Sequence, residues 1–85
     1  MRRTIEMITV YILAKLEAGK EEEVFKNVKA LPEVKKAAAT LGTYDMVIET
    51  SFETMEELDE FIFMKLRRIA GIVETVSMIT SKVIV

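Results

Sequence analysis

The sequence repeats its own pattern about a central tetrapeptide, Gly42-Thr43-Tyr44-Asp45. Each half reads as strand, helix, strand. The first half gives a strand over 8–16, a helix over 20–31 and a strand over 34–41. The second gives a strand over 44–52, a helix over 55–69 and a strand over 72–80. Glu22-Glu23-Val24 and Glu56-Glu57-Leu58 correspond at an offset of 34, whereas Val34 and Ile72 correspond at 38. The difference is about one turn of helix, so the second helix reads as the first with a turn added.

A chain of two such halves has one dominant solution. It is the ferredoxin-like βαββαβ arrangement, an α+β fold with a four-stranded antiparallel sheet and two helices on one face. The other face of the sheet is then bare. The strand patterns say that this face is not polar enough for water. In the first strand Ile8, Val10, Ile12, Ala14 and Leu16 form an apolar side that suits the helices. Thr9, Tyr11, Leu13 and Lys15 form the other side, which is half apolar. Val47 and Ile48 point opposite ways in the third strand and are both apolar. A sheet with both faces covered has this pattern.

The helices carry start and stop signals. Glu21, Glu22 and Glu23 lie in the first turn of the first helix, where the helix dipole favours negative charge. They read as a solvated helix start rather than as acid–base machinery. Val24, Val28 and Leu31 form its apolar stripe with Phe25 on the flank, and Pro32 stops it. Thr54 and Glu57 fit a capping box for the second helix, and Gly71 fits its C-terminal end. Leu58, Ile62, Leu66 and Ile69 form the predicted core stripe, with Met55 and Phe61 beside it. Phe63 and Met64 lie roughly 110–150° from the centre of that stripe, so they are apolar residues on a face that should be polar. Ala37, Ala38 and Ala39 are poor strand formers and suggest a close approach by backbone or by a helix. Lys82-Val83-Ile84-Val85 is β-prone and reads either as a continuation of the last strand or as a short extra strand laid on a neighbour.

Size makes partners a physical requirement. A domain of 85 residues buries only about 60–65% of its unfolded-chain surface. Disulfides, metals or oligomerisation usually make up the margin. The chain has no Cys and no His, which excludes disulfides and removes the common zinc and iron–sulfur ligands. Oligomerisation is the support left, and no cofactor is expected. An interface is expected at Tyr11 and Leu13 on the open face, and at Phe63 and Met64 on the second helix.

The lack of His and Cys also removes triads, thiolate nucleophiles and imidazole bases. No P-loop or dinucleotide fingerprint occurs. The net charge is −2, and the basic pairs Arg2-Arg3, Lys35-Lys36 and Arg67-Arg68 sit among acids, so direct nucleic-acid binding is not expected. The central strands offer only Tyr11, Tyr44 and Phe52, at the wrong spacing for RNA stacking. No apolar run is long enough for a membrane span and the N-terminus has no signal-peptide pattern, so a soluble cytoplasmic protein is expected. A charged fraction of 31% with a single Asn and no Gln resembles thermophile composition.

The chain resembles the effector-binding (RAM) domain of the Lrp/AsnC, or feast/famine, family of regulators over nearly its whole length. The residues that carry the likeness are Ala14-Lys15-Leu16-Glu17-Ala18-Gly19-Lys20-Glu21-Glu22-Glu23-Val24, Leu31-Pro32-Glu33-Val34, Gly42-Thr43-Tyr44-Asp45, Leu58-Asp59-Glu60-Phe61 and Ile69-Ala70-Gly71-Ile72 leading to Thr75-Val76-Ser77. Five such segments in this order are fairly specific. The resemblance implies dimers that use the open sheet face, further assembly into rings, and no enzymatic activity. Full-length members carry an N-terminal helix-turn-helix domain that reads the major groove. Only six or seven residues precede the first strand here, so a single stand-alone effector domain over 1–85 is expected, acting through full-length regulators or other proteins.

The resemblance also implies an amino-acid effector near the turn between the second and third strands. A zwitterion needs an anion for its ammonium and several donors for its carboxylate. Asp45 suits the first role. The backbone N–H groups of Gly42, Thr43 and Tyr44 and the hydroxyls of Thr75 and Ser77 suit the second. The plain alternative is that Gly42 only shapes a hairpin and Asp45 only caps it. Two other functions stay open on the sequence. One is a small dimeric α/β-barrel enzyme such as a cofactor-free oxygenase, although such enzymes use His, Trp or Asn and only Asn27 is present. The other is a purely structural assembly domain.

Overall fold

The structure is a computed structural model that describes residues 7–85. The Arg2-Arg3 pair lies outside the described residues. Strand β1 (Ile8–Leu16) is followed by helix α1 (Glu21–Lys29), strands β2 (Val34–Ala39) and β3 (Met46–Phe52), helix α2 (Met55–Met64), a 3-10 turn (Leu66–Arg68) and strand β4 (Ile72–Ile79). The four strands form one sheet in the order β2-β3-β1-β4, and every neighbouring pair is antiparallel. This is the ferredoxin-like topology, and both crossovers carry a helix onto the same face.

Alternation fixes which residues meet the helices. Val10, Ile12, Ala14 and Leu16 of β1 are buried, as are Met46, Ile48, Thr50 and Phe52 of β3. Val24 and Val28 of α1, Leu58 and Phe61 of α2, and Leu66 close the core over them. The Phe52 and Phe61 rings meet at 5.4 Å between centroids. The Thr50 hydroxyl sits fully buried and donates to the Val10 carbonyl at 3.3 Å.

The capping box forms as the sequence indicates. The Thr54 hydroxyl accepts the Glu57 N–H at 3.2 Å, and the Glu57 carboxylate accepts the Thr54 N–H at 3.1 Å. The other end of α2 differs from expectation. The helix stops at Met64, where Lys65 leaves helical geometry at φ −122°, and the added turn is the separate 3-10 segment. The 100° projection therefore holds only as far as Met64. Phe61 becomes the buried partner of Leu58, and Ile62 and Ile69 stay at the margin of the core. Lys65 forms an ion pair with Glu33, tying this junction to the loop before β2.

Gly71 is needed for two reasons. Its φ is +102°, and a Cβ there would stand 2.7 Å from Val24 Cγ2 and 3.0 Å from Lys20 Cβ. Its carbonyl accepts the Glu17 N–H at 2.8 Å. The start of α1 and the start of β4 therefore touch across a position with no room for a side chain.

The two outer strands contrast with the central pair. No residue of β2 or β4 is fully buried, and each contributes only one partly buried apolar residue to the core, Val34 and Ile72. Ala37 and Ala39 pair with Ile48 and Met46, which places them on the helix side, yet both are exposed. Within this chain nothing closes over the three alanines, and an open groove lies between α1 and β2.

Candidate functional site

The turn between β2 and β3 is held from three directions. The Thr40 N–H donates to the Asp45 carbonyl at 2.9 Å, and the Thr40 hydroxyl donates to the Tyr44 carbonyl at 2.7 Å. The Asp45 N–H donates to the Ala14 carbonyl at 2.9 Å. Asp45 Oδ2 accepts the Leu16 N–H at 2.8 Å, where the register of β1 against β4 shifts. Oδ1 takes no hydrogen bond from the described residues. Gly42 adopts φ +129° with open space beyond its Cα, so backbone conformation alone asks for glycine there. Leu41, beside it, is wholly exposed.

Tyr44 turns onto the open face. Its hydroxyl donates to Glu74 at 3.3 Å, and Lys15 Nζ stands 5.9 Å from its ring centroid. Desolvation, then the Glu74 charge and the hydrogen bond to it, push the Tyr44 hydroxyl above its ordinary value. The raised value keeps the proton on the phenol oxygen, from which it is donated to the Glu74 carboxylate.

Thr75 and Ser77 lie elsewhere. They pair with Ala14 and Ile12, two core-facing residues, so both are on the helix side of the edge strand β4. β1 separates them from the turn by two strand spacings, about 10 Å. Thr75 is half-buried and lines a hollow of about 310 Å³ with Arg67, Ile72, Val73 and Glu74. One chain thus brings Gly42, Thr43, Tyr44 and Asp45 together at one end of the sheet, with Thr75 at the same end and Ser77 further in. Glu74 was not singled out in the sequence, and Arg67 only as part of a basic pair. Their only signal was position: Glu74 precedes Thr75, and Arg67 follows Phe63 by one helical turn.

The open face carries an apolar row across all four strands. Ala38 pairs with Val47, Val47 with Leu13, and Leu13 with Val76. The next row runs Lys36, Glu49, Tyr11 and Met78. Tyr11, Val76 and Met78 are exposed large side chains. On α2, Phe63 is 56% and Met64 53% exposed, off the core stripe as the spacing indicates. The Arg67 guanidinium lies 5.3 Å from the Phe63 ring centroid, and Arg68 donates to Met64 Sδ at 3.7 Å. Among the described residues no group of three or more acidic side chains is placed to hold a metal ion, and no helix is long and apolar enough to cross a membrane.

Comparison with known proteins places this architecture. The Lrp/AsnC ligand binding domain matches residues 9–85. The chain belongs to the Lrp/AsnC family. The HTH-type transcriptional regulator FL11 of Pyrococcus horikoshii is 38% identical over 72 residues, which cover 85% of this chain and 47% of that protein. This Lrp/AsnC domain thus spans about half the length of the curated relatives it matches. The crystal structure of FFRP-DM1 superposes with a TM-score of 0.81 at 40% identity, covering 86% of this chain and 97% of that one. The NMB0573/L-Met complex from Neisseria meningitidis, a transcriptional regulator, shares the fold at a TM-score of 0.81 and 23% identity, covering 88% of this chain and 50% of that one.

Proposed function

We propose that this domain senses a free amino acid at the β2–β3 turn and passes its occupancy on through assembly, as part of transcription regulation by partner proteins. The observation that carries the reading is the division of labour within the Asp45 carboxylate. Oδ2 fixes the turn to β1, while Oδ1 is left for another donor. An ammonium group is the donor that a carboxylate so placed would favour. The effector carboxylate would take the N–H groups of Gly42, Thr43 and Tyr44. Because Thr75 and Ser77 sit on the other side of the sheet, they would join the site from a neighbouring chain. A regulator of the same fold forms a complex with L-Met, which fits this class of ligand.

The assembly would start with a dimer formed on the open sheet face, through Tyr11, Leu13 and the apolar row beside them. Phe63 and Met64 would serve contacts between such dimers in a larger ring or with full-length Lrp/AsnC regulators. The net charge of −2 argues against direct binding of duplex DNA by this domain.

Calorimetric titration with the twenty amino acids tests the reading. One or a few should bind, and Asp45→Asn should weaken that binding ten- to a hundredfold, the effect of losing a charged hydrogen bond of about 1.5–3 kcal/mol. Binding of none, or unchanged affinity in Asp45→Asn, refutes the site.

A further inference from the structure

A groove of about 490 Å³ opens between α1 and the edge strand β2, lined by Phe25, Val28, Val34, Ala37, Ala39 and Met46 among others. Phe25, Val28 and Met46 give it an apolar floor, while its β2 side carries Ala37, Ala38 and Ala39 together with Lys35 and Lys36. Ala37 and Ala39 point toward the helix layer without reaching it. The outer edge of β2 has no strand beside it, so its alternate N–H and C=O groups are unpaired. The groove therefore offers both ladder groups and side-chain room to an extended segment.

The same chain carries a segment of the matching kind. The Thr80 N–H still donates to the Thr9 carbonyl at 2.9 Å, the last backbone bond of that ladder. Beyond it, Lys82-Val83-Ile84-Val85 has no secondary structure, with Val83 76% and Ile84 88% exposed. Three consecutive β-branched or apolar residues favour a strand that is covered on both sides. Alternation puts Val83 and Val85 on one side and Ile84 on the other.

The segment cannot fill the groove of its own chain. Val10 pairs with Ile79, so the tail leaves the sheet at the end where Val34 begins β2. From β4 to β2 is three strand spacings, about 14 Å. The free residues 81–85 span about 17 Å when extended. Crossing the end of the sheet would use about four of the five and leave one, too few to run along β2. A second copy has no such limit.

We infer that residues 82–85 of one copy lie as an added strand on β2 of another copy, seating alternate side chains over Ala37 and Ala39 in the α1–β2 groove. Small residues on the receiving strand and branched residues on the incoming one are then complementary. Each copy carries both parts, so two copies can exchange tails symmetrically. The inference does not depend on the effector reading.

The absence of cysteine from the chain makes the test direct. Three single variants, Val83→Cys, Ile84→Cys and Ala39→Cys, are prepared with Glu56→Cys as an exposed control. Each tail variant is mixed with Ala39→Cys, oxidised mildly, and the disulfide-linked peptides are quantified by mass spectrometry. One tail position should couple to Ala39→Cys at least tenfold more than the other, and more than the control does. Equal yields from Val83→Cys and Ile84→Cys, or yields no higher than the control, overturn the inference. Preferential coupling of the tail variants to themselves also overturns it, because the tails would then meet each other. As a second measurement, truncation after Ser81 should raise the dissociation constant of the oligomer at least tenfold, and an unchanged constant counts against the exchange.

Discussion

Asp45 Oδ2 accepts the Leu16 N–H at 2.8 Å, across 29 residues of sequence, and so ties the β2–β3 turn to the end of the first strand. The side chain takes up a donor at the point where regular pairing of β1 gives out. Asp45→Ala should lower stability by about 1–3 kcal/mol, since it leaves that N–H without its partner. Asp45→Asn keeps an oxygen for it and should unfold close to the wild type in urea. Equal losses in the two variants would mean that charge, not the hydrogen bond, supports the turn.

Gly71→Ala should be the costlier of two glycine substitutions. It meets Val24 and Lys20 and also strains the backbone, and about 2–4 kcal/mol is expected. Gly42→Ala meets no atom and carries only the backbone strain, about 1–3 kcal/mol. Chemical denaturation of both variants measures the difference, which would vanish if contact at Gly71 were relieved freely.

The Tyr44–Glu74 pair sets a pH dependence. The folded state holds the phenol proton more tightly than the unfolded state, whose value is near 10.0. The stabilisation is fully present below that pH and is lost as pH rises through the higher folded value. In a Tyr11→Phe background, phenolate absorbance should report the raised ionisation. Glu74→Gln should move it downward, because it removes both the charge and the carboxylate acceptor. A midpoint that does not move would assign the shift to desolvation alone.

Much of this was legible beforehand, and the exceptions have physical causes. The alternation of β1 named its four buried residues because a strand buried on one side repeats every two residues. Thr54 and Glu57 announced the start of α2. The break at Lys65 left no mark, since no Gly or Pro stands there. The side of the sheet taken by Thr75 and Ser77 was also hidden. It depends on the pairing of β4 with β1 and on the register shift at Lys15/Leu16, neither of which is local. The three alanines stay exposed beside α1, and nothing in a strand pattern tells how far a helix extends over an edge.

The open face makes its own prediction. Leu13 stands in the middle of the row from Ala38 to Val76. Leu13→Glu should convert the proposed dimer to monomer, seen by light scattering at micromolar concentration. A dimer that survives the substitution would remove this face from the interface.

Phe63→Glu combined with Met64→Lys tests the outer contact. Both residues are exposed on α2, so fold stability should change by less than about 0.5 kcal/mol. The assembly should nevertheless fall to the dimer. An unchanged assembly size would show that Phe63 and Met64 serve some other surface.

The fully buried core draws on β1 and β3 alone among the strands. Substitutions on β2 and β4 can therefore accumulate with little penalty to folding, and in the proposed assembly they would change which copies meet and at what angle. If the proposed assembly forms, such a scaffold would let its size and symmetry drift over evolutionary time without passing through unfolded intermediates. The identity of the fold and the choice of neighbours would then be inherited on separate sets of residues.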